Sequence, residues 1–199
     1  MIIDFNKIKN IDTSIYKKDF DFPGYPGPLD YTHHLFRETG EHYKLLTYIS
    51  HLYDDILILD VGTNWGESAV SLAQNPRNKI ITYDIRKIWE LPFLDNYSNL
   101  EFKLMDISKE NDNIIKSAKI IFLDIAHDGM QEWSFTDRLL SIGYKGYLIC
   151  DDIFAPFYPM MKPWWDSINI EKYDLTEIGH TWGTGLVNYY RNNDVKIIR

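Results

Sequence analysis

The stretch ILILDVGTNWGESAV, Ile56 to Val70, decides the fold. Four apolar residues run into Asp60, a loop follows that holds Gly62 and Gly66, and the pattern then turns helical. Strand, tight loop and helix in that order open an α/β sheet, whose ligands bind at the carboxyl ends of the strands. Gly62 can take the tight turn, and Gly66 lets the backbone approach a ligand or enter the helix. The first N–H groups of that helix form an anion site. The dinucleotide pattern G-x-G-x-x-G is missing, because Asn64 stands where the middle glycine would touch a pyrophosphate. A carboxylate suits this loop better. Asp84 lies 22 residues after Gly62 at the end of the next apolar run, where an acid can accept from both ribose hydroxyls. Read singly, the glycines could be a structural turn and Asp84 a strand-end cap. Together, at this spacing, they point to a bound nucleoside.

Apolar runs recur outward from this unit, each ending near an acid: KIITYDI (79–85), LEFKLMDI (100–107), AKIIFLDIAHD (118–128) and KGYLICDDIF (145–154). Helix-like segments separate several of them, among them QEWSFTDRLLSIG, which Gly143 is placed to cap. Short, continuously apolar strands of this kind predict a parallel sheet buried on both faces. KYDLTEIG and GLVNYYR (185–191), joined by HTWGT, predict a terminal antiparallel hairpin. Ahead of the first strand, Tyr43, Leu46, Ile49 and Tyr53 recur at spacings of three and four, an amphipathic helix. Residues 1–40 read as an arm, because Asp21–His34 carries three prolines and two glycines. The expectation is one Rossmann-like, doubly wound α/β domain over 41–199, mostly parallel, with an N-terminal arm as a candidate cover for the acceptor site.

A chain of 199 residues supports one well-buried core. Hydrophobic content of 45% with 25% charged residues is that of a soluble globular protein. The net charge of −8 argues against broad binding to nucleic acid or to an anionic membrane. No window approaches the roughly 18 consecutive apolar residues of a membrane span. The N-terminal MIIDFNKIKN lacks the pattern of a signal segment. The single cysteine, Cys150, allows no internal disulfide and fits a reducing compartment, so a cytoplasmic location is expected.

LDVGTNWGESAVSLA, IITYDI, IFLDIAHD and LICDDI, in this order, resemble the successive motifs of class I S-adenosylmethionine-dependent methyltransferases. Within that class the chain is most similar to metal-dependent small-molecule O-methyltransferases, of the catechol type and of the type that methylates macrolide sugars. The likeness spans about residues 41–191. It implies a seven-stranded sheet ending in a reversed hairpin. It also implies that Asp60 and Ser68 help hold the methionine moiety, with Gly62, Thr63, Asn64 and Gly66 forming the loop around it. Asp84 would bind ribose, and Asp106 or Ile107 would lie along adenine.

The acids that end the fourth and fifth runs raise the chemical question. If those strands are neighbours, Asp124, Asp151 and Asp152 converge, which is unfavourable unless protons or a hard cation compensate. Mg2+ accepts a few carboxylates and keeps several waters, and the resemblance implies this trio as its ligands. Solvated strand-end acids are the plainer reading. His127, three residues after Asp124 in D-x-x-H-D with Asp128, is the candidate general base, since an imidazole titrates near neutrality. His180 in GHTWGTG is a second candidate, and His33 and His34 in the arm could line the acceptor pocket. Phe154, Phe157, Tyr158, Trp164 and Trp165, interleaved with prolines, read either as a lid or as a packed aromatic loop.

The expected reaction is methyl transfer from S-adenosylmethionine to a hydroxyl of a small molecule, with Mg2+ assistance. A sugar, glycan or nucleotide-sugar is the leading acceptor, ahead of catechol-like phenols, and a dimer is the open expectation for oligomeric state. Two other classes stand beside it: an NAD(P)-dependent oxidoreductase, against which Asn64 and the lack of a Tyr-x-x-x-Lys dyad speak, and an inactive nucleotide-binding module.

Overall fold

The computed structural model describes residues 1–14, 42–86, 92–191 and 194–199. Strand β1 (Ile2–Asp4) leads into α1 (Phe5–Lys9), and α2 (His42–Ser50) precedes the main sheet. There follow β2 (Leu57–Val61), α3 (Glu67–Ala73), β3 (Lys79–Asp84) and β4 (Leu100–Leu104). Next come α4 (Asp112–Ser117), β5 (Ala118–Leu123), α5 (Met130–Ser141) and β6 (Tyr147–Asp151). The last elements are α6 (Met161–Ser167), β7 (Lys172–Asp174), β8 (Thr184–Asn188) and β9 (Lys196–Ile198).

Seven strands form one sheet in the order β4-β3-β2-β5-β6-β8-β7, with β8 antiparallel to both β6 and β7 and the other pairs parallel. The chain builds outward from β2 to β4, then returns to place β5 on the other side of β2. The crevice at the carboxyl ends of β2 and β5 is therefore the topological switch point.

Alternating side chains of the same strands feed two cores. Ile58, Ile80, Ile120, Phe122 and Ile149 face α1, α2 and α3, packed with Phe5, Ile8, Leu45, Ile49 and Leu72. Leu59, Val61, Ile81, Ile121, Leu123 and Cys150 face α4, α5 and α6, packed with Ile115, Phe135, Leu139 and Trp164. Successive residues point to opposite faces, and both faces of the inner strands are covered, so these must be apolar throughout. The edge strand β4 is the exception: Glu101 and Lys103 alternate with Leu100, Phe102 and Leu104.

Gly143 caps α5 as expected: at φ +70 it lets its own N–H and that of Tyr144 donate to the carbonyls of Leu140 and Leu139, at 3.1 and 2.9 Å. The reversed hairpin is present, but its connection is longer than HTWGT. Thr176–Ile178 forms a 3-10 turn, because Leu175 and Ile178 are drawn fully into the core. Residues 2–9 of the segment expected as an arm belong to the domain. β1 pairs in parallel with β9, and Ile3, Phe5 and Ile8 are buried in the core with α2. Residues 15–41, with His33, His34 and the expected arm boundary, lie outside the described residues. Among the described residues no helix is long and apolar enough to cross a membrane.

Candidate active site

The first loop is fixed before any ligand enters. The N–H groups of Gly62 and Thr63 both donate to the carbonyl of Tyr83, at 2.9 and 3.0 Å, tying the end of β2 to the end of β3. Gly62 sits at φ +108, and a Cβ built there would lie 1.7 Å from the carbonyl oxygen of Asp124, so only glycine fits. Below the loop the Thr82 hydroxyl donates to Asp60 Oδ2 at 2.5 Å and pairs with the Thr63 hydroxyl at 2.6 Å. Asp60 is fully buried, and its second oxygen, Oδ1, has no hydrogen-bond partner among the described residues. Burial pushes its carboxyl up to about 7, against the hydroxyls of Thr82 and Ser68. Asp60 and Ser68 had been expected at the methionine end of a ligand. Both are buried, and an orphaned carboxylate oxygen fits a ligand ammonium.

Asp84 closes β3 and accepts the N–H of Asn64 at 2.9 Å and that of Arg86 at 3.1 Å. Asn64 reaches it by adopting φ +43. One strand further along the sheet edge, just past β4, Asp106 caps the 3-10 turn Ile107–Lys109 through the N–H of Ser108 at 2.8 Å. A cavity of about 590 Å³ opens here, lined by Asn64, Asp84, Asp106 and Ile107, by the adjoining Gly62 and Asp124, and by His127 and Tyr158. Gly66 starts α3 at φ +86, with its N–H on the Thr63 carbonyl at 2.7 Å.

β5 and β6 are paired neighbours, so the acids at their ends do meet. His127 stands between them: its Nε2 is 3.0 Å from Asp124 Oδ1 and 3.5 Å from Asp152 Oδ2, ion-pair contacts off the line of a hydrogen bond. His180 Nδ1 bonds Asp152 Oδ1 at 2.7 Å and lies 3.4 Å from Asp151 Oδ1. His42, on α2, brings its Nδ1 to 3.9 Å from the same Asp151 oxygen. Burial raises Asp124 to about 6, with the charges of Asp151 and Asp152 adding to it. Burial also acts on Asp151, but His42, His180 and His127 outweigh it and hold the carboxyl at about 2. Burial works against a charged His127; Asp124 beside it prevails and sets it at about 9. His180 is held at about 10 by Asp151 and Asp152 in the same way.

The backbone is bent to make this cluster. Asn64, His127 and Asp152 are three of the five non-glycine residues with positive φ among the described residues, and all three lie on this edge. Strain of that kind gathers where a site demands a geometry. Glu132, nearly fully buried on α5, accepts the His127 N–H at 2.8 Å and so fixes the loop. Tyr158 stacks on the His127 ring at 4.8 Å. Phe157 is 73% exposed and meets Trp182 edge-on, while Trp164 and Trp165 are buried in the core. The aromatic segment is thus half rim and half core. Asp128 faces away from the cluster and receives the N–H groups of Met130 and Gln131 at the start of α5.

Of the residues expected at the site, Asp84, Asp124 and His127 line one cavity, Asp151 and Asp152 stand beside it, and Asp60 lies beneath the loop. Thr82, His42 and Glu132 join them from far off in sequence or from a helix face and form no motif. The convergence of Asp151 and Asp152, and a buried Asp151 Oδ1 that accepts no hydrogen bond from the described residues, fit a divalent cation; Asp124 stands apart, on the far side of the His127 ring.

No protein-family profile matches the chain, and no curated protein matches it in sequence. Solved structures do. One is a methyltransferase of Podospora anserina bound to S-adenosylhomocysteine, at TM-score 0.60 and 12% identity, over 92% of this chain and 86% of that one. Another is a structure from Staphylococcus aureus described as a caffeoyl-CoA O-methyltransferase, at TM-score 0.56 and 16% identity, over 73% and 82%. A third is a TDP-rhamnose 3'-O-methyltransferase of calicheamicin biosynthesis, at TM-score 0.56 and 12% identity, over 92% and 90%. The chain has the fold of the class I S-adenosylmethionine-dependent methyltransferases.

Proposed function

We propose that the protein is an O-methyltransferase that moves the methyl group of S-adenosylmethionine to a hydroxyl of a small molecule. One observation carries this: a single cavity joins the nucleoside acids Asp84 and Asp106 to the pair Asp124 and His127. Donor and acceptor chemistry share one space at the switch point of the sheet. Asp84 would accept from the ribose hydroxyls, Ile107 would lie along the adenine, and the orphaned Asp60 Oδ1 would meet the ammonium of the methionine end.

The sulfonium already activates the methyl group, so the chain must align the acceptor and take its proton. His127 takes that proton, and the imidazolium formed is held by Asp124 at 3.0 Å. With its carboxylate neighbours bare, His127 sits at about 9 and is charged at neutral pH. Asp124 raises it most, with the charges of Asp152 and Asp151 adding to this, so it acts as a base once these carboxylates are neutralised. Asp151 and Asp152, with Asp124 as the third member expected from the sequence, would hold a divalent cation such as Mg2+. Such an ion, when bound, stabilises the negative charge that develops on the acceptor oxygen.

The proposed acceptor is a sugar or glycan hydroxyl. The TDP-rhamnose methyltransferase of the same fold supports this, as does the exposed rim of Phe157, Tyr158 and Trp182, a surface on which a ring can stack. The buried Cys150 is compatible with a cytoplasmic setting. The test is a calorimetric titration of S-adenosylmethionine, S-adenosylhomocysteine and NAD, with and without Mg2+. Binding of the two adenosyl ligands is expected; binding of NAD alone overturns the proposal. Labelled-methyl transfer to nucleotide-sugars and to catechols then separates the acceptor classes.

A further inference from the structure

We infer that His180 is a ligand of the divalent cation, and that the site therefore prefers a transition ion such as Mn2+ or Co2+ to Mg2+. This rests on the reading above that Asp151 and Asp152 hold a cation.

The donor set that closes around one point is Asp151, Asp152 and His180, whose ligand atoms all lie within 4.8 Å of one another. Asp124 is not part of that set, and the His127 ring stands between it and Asp152. Two donors each about 2.1 Å from a common ion lie about 3 Å apart when they are neighbours around it. His180 Nδ1 is 2.7 Å from Asp152 Oδ1 and 3.4 Å from Asp151 Oδ1, which brackets that spacing. A second observation concerns the hydrogen bonding of Asp151 and not the spacing of the donors. Asp151 Oδ1 is buried, accepts no hydrogen bond from the described residues, and lies 3.4 Å from His180 Nδ1 and 3.9 Å from His42 Nδ1. With no ion bound, the flanking histidines are the positive neighbours of this oxygen, at 3.4 and 3.9 Å, and a cation seated between the carboxylates would take over that part.

The position of His180 is built by the sheet. Register sets Thr184 opposite Asp151, and the Thr184 hydroxyl receives the N–H of His180 at 2.7 Å. The N–H of Phe154 donates to the Trp182 carbonyl at 2.8 Å, zipping the turn onto the exit of β6. Gly183 makes this closeness workable: at φ +106, a Cβ there would meet Ile153 Cγ1 at 2.6 Å. The imidazole is thus carried to the two carboxylates by the pairing of β8 with β6 and by the hydrogen bonds of the turn that precedes β8.

The metal preference follows from the donor atoms. Mg2+ takes oxygen ligands and holds its waters. An imidazole nitrogen suits borderline first-row ions, whose affinities exceed that of Mg2+ at mixed nitrogen and oxygen sites. The rival account makes His180 only the counter-ion of Asp152, and in that case no nitrogen touches the metal.

The experiment uses the full chain, stripped of metal and loaded with Mn2+, and reads pulsed electron paramagnetic resonance for coupling to 14N. A 14N coupling is expected in the wild type and in Asp124→Asn, and its loss in His180→Ala. Mn2+ binding should weaken by about 10-fold or more in His180→Ala, and Mg2+ should compete poorly with Mn2+ in the wild type. His180→Gln keeps a polar side chain in place if the alanine variant does not fold; there Mn2+ still binds and the coupling disappears. Coupling that persists in either His180 variant, its absence from the wild type, or equal Mg2+ and Mn2+ affinity overturns the inference. S-adenosylmethionine is titrated into the same samples. If the donor binds while the coupling is absent, only the His180 assignment falls; if the donor does not bind, the functional reading falls as well.

Discussion

Gly62 and Asp124 meet where β2 and β5 end: a Cβ on Gly62 would lie 1.7 Å from the Asp124 carbonyl oxygen. The N–H of Asp124 also donates to the Val61 carbonyl at 2.9 Å, so the donor loop and the acceptor-side acid are one rigid corner. Gly62→Ala must force this corner apart as well as strain a backbone at φ +108. The φ cost alone is about 1–3 kcal/mol. Gly143→Ala faces only the φ cost, since no atom of the described residues lies within 4 Å of its Cβ. Denaturant unfolding should therefore show the larger loss in Gly62→Ala, accompanied by loss of S-adenosylhomocysteine binding, while Gly143→Ala binds normally. Equal losses would remove the corner from the account.

Asp60 makes stability depend on pH in an unusual direction for a carboxylate. Its pKa rises from the ordinary 3.8 to about 7 because burial disfavours the charge. The folded protein keeps a proton that the unfolded chain has lost, so stability is full below about 4 and falls as pH rises through about 7. The shift corresponds to roughly 4 kcal/mol. Asp60→Asn should flatten this slope in the ligand-free protein and make it more stable at pH 8. The same variant should bind S-adenosylmethionine more weakly, since the charge that would meet the ammonium is gone. Denaturation midpoints at pH 5 and pH 8, with and without donor, measure both effects.

Arg138 holds the strip along which adenine is proposed to lie. From α5 its guanidinium donates to the carbonyls of Ile107, Ser108 and Glu110 and to Asp112. A lysine has one charged group and cannot span this fan. Arg138→Lys should speed amide exchange over residues 107–112 and weaken donor binding by about 10-fold, near 1.4 kcal/mol. Unchanged exchange would show that the strip holds itself.

Replacing Asp151 by Ala removes a carboxylate that the proposed cation needs but that the donor cavity does not line. Metal-dependent turnover should vanish while S-adenosylhomocysteine binds as in the wild type. Turnover that survives both this change and chelation ends the cation mechanism.

His127→Gln keeps a polar side chain beside Asp124 but offers no base. Its kcat should fall by about 10²–10⁴ with little change in donor affinity. A fall in donor binding equal to the fall in kcat would instead assign His127 a structural part in the pocket.

The sequence determined the sheet and the order of its chemistry. Strands buried on both faces must be apolar throughout, so ILILDVG, KIITYD and IIFLD announced themselves, and the acids that end them marked the ligand edge. Gly62, Asn64 and Asp84 spoke because a tight loop and a strand end impose residue types locally. The tertiary structure alone decided what met those residues. Thr82 beneath Asp60, Glu132 behind His127, His42 against Asp151 and Arg138 under the Ile107 strip come from other elements and carry no spacing signal. His180 read as a spare base in a turn; the pairing of Asp151 with Thr184 made it a neighbour of two carboxylates. The N-terminal residues Ile3, Phe5 and Ile8 likewise looked like part of an arm until β9 supplied the strand to pair with β1. Local patterns fix local conformation, whereas side-chain charge and partnership depend on long-range register, which one strand does not contain.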